Sequence, residues 1–245
     1  MTDTEWPPAV EALNVEGASE FVLLCEHASN HIPQTYQSLG LPASELRRHI
    51  AWDPGAAEVT RRLSALLDAP AYLGAYSRLL IDLNRPLASP NSIVTRSEAT
   101  DIPGNFNLSA EERTRRADLI FRPFHDRISA ILDRRQKDGR PVRLVSIHSF
   151  TPVYLGEARA WQAGVLFGEA GGFGRSLVDK LRGLGVTAGA NVPYESSRDE
   201  DYAVPVHGDD RGIPAVLIEI RNDLIASPDA VTAWAEKIFM ALSTS

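Results

Sequence analysis

Val142-Arg-Leu-Val-Ser-Ile-His148-Ser-Phe150 contains a largely apolar run, Arg143–His148, that ends in an imidazole. Its hydrophobic side chains do not alternate with polar ones, so it reads as a strand covered on both faces. Two other runs share this form. Phe21-Val-Leu-Leu-Cys25 leads into Glu26-His27-Ala-Ser-Asn30-His31, and Ala215-Val-Leu-Ile leads into Glu219-Ile-Arg221-Asn-Asp223. Shorter runs at Ala71–Leu73, Leu79–Leu83 and Gly164–Phe167 complete the expected strands. Longer amphipathic segments separate them. This alternation predicts an α/β fold of three layers, α/β/α, around a mixed, largely parallel central sheet. In such a sheet, residues at the carboxyl ends of strands face a common crevice.

The helical segments carry their own start signals. Asp53 suits an N-cap and Pro54 a first helical position, with Val59, Leu63 and Leu66 following on one face. Ser109-Ala-Glu-Glu112 has the form of a capping box. Ile120, Phe124, Ile128 and Ile131 follow at helical spacing, and Pro123 should kink or split that helix. Ser176–Leu184 and Pro228–Leu242 read as two more helices. Long polar stretches at 84–107, 151–161 and 191–212 adjoin strand ends that carry candidate site residues. Loops of that length in a compact domain are often functional.

Bulk properties narrow the class. The 245 residues contain no linker-like segment and no internal repeat, so one domain over 1–245 is expected. A hydrophobic share of 44% is ample for a core. The net charge of −7 disfavours nucleic acid as a partner. The sole cysteine, Cys25, excludes an internal disulfide and a Cys-rich zinc site, and its apolar setting suits a packed thiol. No signal peptide and no membrane-spanning stretch of about 20 apolar residues is evident. The expectation is a cytoplasmic protein with a small-molecule partner and no membrane or nucleic-acid partner.

Two imidazoles and a carboxylate at strand ends are the parts of a metal hydrolase. His27 and His148 are the leading metal ligands. Asp53, Glu26 and His31 are open as the third. Glu26 adjoins His27, and neighbouring side chains on an extended segment point apart. His31 would need a helical turn, which Ile32-Pro33 opposes. Asp53 can bind an ion or simply cap its helix. Glu219 suits a general base, because burial at the end of an apolar strand raises a carboxylate pKa; its alternative is an ion pair with Arg221. Arg85, helped by Asn84, can grip a carboxylate through parallel N–H bonds. Arg78 could stabilise an oxyanion or pair with Asp82. His207-Gly-Asp-Asp-Arg211-Gly reads as a mobile loop over the site or a solvated turn, and His49 and His125 as surface or packing residues in helices.

Six stretches, in order, resemble the N-formylglutamate amidohydrolase family. They are Leu23 to Pro33, His49 to Ala56, Tyr76 to Pro86, Ser146 to Pro152, Asn191 to Tyr194 and Gly212 to Leu224. The family is similar to the zinc exopeptidases, which include the carboxypeptidases. The resemblance implies that exopeptidase-like (phosphorylase/hydrolase-like) fold and one Zn²⁺. It implies His27 and His148 as ligands, Asn84 and Arg85 for the substrate carboxylate, and Glu219 within Glu-x-Arg as the catalytic glutamate. Arg78 and Tyr194 lie in matching stretches and are carried over as catalytic and substrate-binding residues. Where carboxypeptidases place a ligand glutamate, three positions after His27, this chain has Asn30, which points to Asp53 as the substitute. The implied activity is hydrolysis of an N-acyl amino acid, with N-formyl-L-glutamate the leading substrate. The alternatives are a carboxypeptidase or deacylase acting on another small amide, and a non-catalytic carboxylate-binding protein.

Overall fold

A computed structural model describes residues 6–243. Eleven strands form in chain order: β1 Val10–Leu13, β2 Phe21–Cys25, β3 Ala71–Gly74, β4 Arg96–Ser97, β5 Thr100–Asp101, β6 Arg143–Phe150, β7 Val153–Tyr154, β8 Glu157–Ala158, β9 Ala163–Leu166, β10 Ala188–Ala190 and β11 Ala215–Arg221. The helices are α1 Ala43–Leu46, α2 Ala56–Leu67, α3 Ala110–Arg116, α4 Arg122–Lys137, α5 Gly171–Gly183 and α6 Pro228–Ser243.

Seven strands make one sheet in the order β1-β3-β2-β6-β11-β9-β10. β1 runs antiparallel to β3 and β9 antiparallel to β11, while the remaining neighbours are parallel. The expected mixed, largely parallel sheet is therefore present. Alternate residues of β2 serve two cores. Phe21, Leu23 and Cys25 pack with α2, α5 and α6, whereas Val22 and Leu24 pack with α4 and the segment around Leu79–Leu83. Both faces are covered, which is why these strands carry no polar alternation.

The expected strand at Leu79–Leu83 does not form. Those residues are buried in irregular backbone, and side chains satisfy their carbonyls. Asn105 Nδ2 donates to Leu79 O at 2.8 Å, Arg116 Nη1 to Leu80 O at 3.0 Å, and His125 Nε2 to Leu83 O at 2.8 Å. A buried carbonyl needs a donor, not necessarily a ladder. Pro123 falls in the first turn of α4, directly after a π-helical turn at Ala117–Phe121, so the helix changes its winding there but is not split. Ser109 caps α3 by accepting from Glu112 N at 3.2 Å, but the Glu112 side chain turns to Tyr36 and Arg116 rather than completing a box. The 207–212 segment divides: His207 is buried in a second π-helical turn, Ala203–Gly208, whereas Asp209–Arg211 form a solvated turn with Asp210 exposed. Among the described residues, no helix is long and apolar enough to cross a membrane.

Candidate active site

The central strands β2, β6 and β11 run parallel, so their carboxyl ends reach one edge together. His27 follows β2, while His148 and Glu219 are directly paired across β6 and β11. Asp53 joins them from the loop before α2. Its N–H donates to His27 O at 2.9 Å, which fixes this loop beside the end of β2. The helix itself starts at Ala56, beyond Gly55 at φ 82°, and the Asp53 side chain does not cap it. That carboxylate instead turns inward and accepts from Ser149 N at 3.2 Å.

His27, Asp53 and His148 each offer one ligand atom, and these atoms lie within 4.8 Å of one another. Asp53 Oδ2 sits 3.4 Å from His27 Nδ1 and 2.9 Å from His148 Nδ1. The far nitrogen of each ring meets another acid. His27 Nε2 lies 2.7 Å from Asp82 Oδ1, and His148 Nε2 lies 2.8 Å from Glu26 Oε2. Asp82 and Glu26 can only accept when ionised, so each Nε2 carries a proton. In the neutral rings both Nδ1 lone pairs then face the Asp53 carboxylate. Three electron-rich atoms converging in a buried space fit a divalent cation, with the acids behind each ring orienting it. Without a cation, His148 is held protonated well above its ordinary pKa: burial opposes this, but Asp53 and Glu26 outweigh it.

Glu26 is thus a support for His148 and not the third ligand. Ser146 Oγ also donates to its Oε2 at 2.5 Å. His31 is exposed and stacks near Tyr76, with ring centroids 5.5 Å apart, on another surface. Of the three open candidates, the geometry brings only Asp53 to the two histidine Nδ1 atoms.

Glu219 stands beside this cluster. It is buried, Oε2 has no hydrogen-bond partner, and burial raises its pKa to about 7 against the opposing pull of His148. It forms no ion pair with Arg221, which binds Asp223 at 2.8 Å. Arg78 donates to Asp82 Oδ2 from Nε at 3.0 Å and Nη2 at 2.6 Å, and reaches Asp53 Oδ1 at 3.5 Å. Arg85 meets Asp201 Oδ1 at 3.1 Å and also donates to the Glu200 carbonyl. Asn84 is buried, accepting from the N–H groups of Tyr202 at 3.1 Å and Ala203 at 2.9 Å.

A cleft of about 420 Å³ gathers every predicted site residue: His27, Asp53, His148 and Glu219 with Arg78, and on its other walls Asn84, Arg85 and Tyr194. Tyr194 arrives on a loop that crosses β9 closely. A Cβ at Gly164, the β9 neighbour of Glu219, would lie 1.6 Å from Val192 O, so only glycine permits the crossing. The sequence reading missed two participants. His49 lies in a turn rather than a helix, lines the cleft and pairs with Glu98 at 3.2 Å. Asp82, considered only as a partner for Arg78, also holds His27; an acid inside an apolar run was the available signal.

A three-layer α/β fold with a buried His–Asp–His cluster and an unpaired carboxylate at its strand ends has the form of a hydrolytic scaffold able to hold a metal ion. The model of the family described as N-formylglutamate amidohydrolase matches residues 19–226, and the chain belongs to that family. A gene product of Agrobacterium tumefaciens is 41% identical, with a TM-score of 0.94 over 100% of this chain and 98% of that one. An N-formylglutamate amidohydrolase from Ralstonia eutropha shares the fold at 17% identity, with a TM-score of 0.76 over 96% of each chain. No match was found among curated protein sequences.

Proposed function

We propose that the protein hydrolyses the amide bond of an N-acyl amino acid, with N-formyl-L-glutamate as substrate, using one Zn²⁺ held by His27, Asp53 and His148. The observation that carries this reading is the convergence of His27 Nδ1, Asp53 Oδ2 and His148 Nδ1 beside an unpaired Glu219. A zinc ion there would supply Lewis acidity toward the acyl carbonyl and lower the pKa of a water. Glu219 is the general base: its raised pKa lets it take a proton from the attacking water and return it to the departing nitrogen near neutral pH. Arg78 lies close enough to Asp53 to add positive charge where the carbonyl oxygen becomes negative. Arg85, oriented by Asp201, offers donors to the substrate α-carboxylate, and Tyr194 closes the side of the cleft. Asn84 supports that grip indirectly by holding the Tyr202–Ala203 backbone. The site takes a small molecule; the protein's place in the cell is proposed to be the cytoplasm.

Zinc titration into metal-free protein, read by formate release from N-formyl-L-glutamate, tests the reading. One equivalent should restore turnover. Full activity in a chelator, or in His148→Ala, would overturn the mechanism.

A further inference from the structure

The cations that line the cleft are committed to acids. Arg78 holds Asp82, Arg85 holds Asp201 and His49 holds Glu98. Arg159 is different. It leaves the β7–β8 hairpin, whose turn residues Leu155 and Gly156 both have positive φ, 49° and 88°, as a tight hairpin turn requires. Its guanidinium lies 5.5 Å from the Phe150 ring, 4.8 Å from Tyr154 and 4.9 Å from Tyr194. All three rings line the cleft. Arg159 makes no ion pair among the described residues, and its Nη1 is buried without a hydrogen-bond partner. Its backbone is anchored, because Arg221, at the end of the strand that carries Glu219, donates to Arg159 O at 3.2 Å.

A buried N–H without an acceptor costs free energy until something supplies one. One guanidinium N–H group is taken by the Tyr194 hydroxyl, while the buried Nη1 edge stays without an acceptor, and that edge matches a carboxylate oxygen. Tyr154 and Tyr194 are 40% and 42% exposed, so they stand at the mouth of the cleft, where a substrate side chain would project. With Arg85 committed to the α-carboxylate in the proposed function, a second anionic group needs a second cation.

We propose that Arg159 is the specificity-determining cation of this cleft, binding a side-chain carboxylate and so selecting N-acyl derivatives of acidic amino acids. The proposal rests on the hydrolase reading for its substrate class, but not for its test. Calorimetry on zinc-loaded protein compares L-glutamate with L-glutamine, which differ only in the charge at issue. Wild type should bind glutamate roughly 10- to 100-fold more tightly, as expected for a hydrogen bond to a charged group. Arg159→Met should bring the ratio near one, and Arg159→Lys should keep part of it. If the Met variant does not fold, the intermediate ratio in the Lys variant carries the test. A purely structural role for the ring stack would weaken both ligands equally, and that result, a wild type without preference, or one that binds neither ligand, would overturn the proposal. Formate assays separate the two readings. No turnover of any N-formyl amino acid, with the glutamate preference intact, defeats only the hydrolase reading. Equal turnover of N-formylglutamine and N-formylglutamate defeats only the role of Arg159.

Discussion

Two pairs of buried histidines lie on this fold, and they differ in what surrounds them. His27 and His148 cross at 88°, with ring centroids 4.7 Å apart, among Asp53, Asp82 and Glu26. His125 and His207 stack at 27°, with centroids 5.1 Å apart, against Phe121, Phe124 and Tyr202. Acids make the first pair a place for positive charge. The second pair has no acid against it, and burial lowers His125 to about 4 and His207 to about 3. His125 Nε2–H donates to Leu83 O, so its Nδ1 accepts from His207 Nε2 at 2.9 Å. One pair could hold a cation, while the other stays neutral and fastens the 203–208 turn behind the Leu83-Asn84-Arg85 segment. Burial alone does not tell a ligand histidine from a packed one; the neighbouring carboxylates do.

Removing a ligand from the acid-framed pair should have the largest effect. His148→Ala is expected to lose bound zinc, measured by elemental analysis, and formate release with it. Retention of stoichiometric zinc would break the comparison. Glu219→Gln comes next: kcat should fall by about 10²–10⁴-fold while zinc stoichiometry is kept. Asp82→Asn removes the acid behind His27 without touching a ligand, and metal affinity should drop about 10–100-fold in a competitive chelator titration.

The neutral pair gives the smallest effect and one with a defined sign. A histidine whose folded pKa is depressed contributes stability that is complete above its unfolded value near 6.5 and is lost as pH falls toward the folded values. Between pH 7 and pH 5, urea unfolding should therefore show a loss of about 2 kcal/mol for each of His125 and His207. His207→Gln should roughly halve that loss. In metal-free protein His148 pulls the other way, because its raised pKa stabilises most at low pH. An unchanged pH slope in His207→Gln would show that the two pairs do not differ as described.

Much of this was legible in the chain. β2, β6 and β11 announced themselves because strands buried on both faces are mostly apolar without strict alternation, and residues just past or near their carboxyl ends had to meet in one place. Strands β1 and β10 were missed for the opposite reason: Val-Glu-Ala-Leu is a half-exposed edge and Ala-Gly-Ala has no β-branched residue. Leu79–Leu83 misled because burial was read as strand, although a carbonyl can be satisfied by Asn105, Arg116 or His125. The metal cluster was legible as residue types but not as a set. From the residues alone Asp53 could bind an ion or cap its helix; its loop, bound to His27 O, turns the carboxylate inward. Glu26 and Asp82 are supports whose distances from His148 and His27 along the chain carry no signal.

Gly164 bears on how wide the cleft can open. It sits beside Glu219 on β9, and the carbonyl of Val192 occupies the space its side chain would need. Tyr194 is two residues further along the same loop. The clearance above the Glu219 carboxylate is therefore set from the neighbouring strand, on the same face of the sheet, by a single hydrogen atom. Any larger residue at 164 would act as a shim, lifting Val192 and tilting Tyr194 off Arg159. In the proposed reading, room for bulkier acyl groups and discrimination by charge would thus be adjusted by one dimension of the fold and traded against each other there.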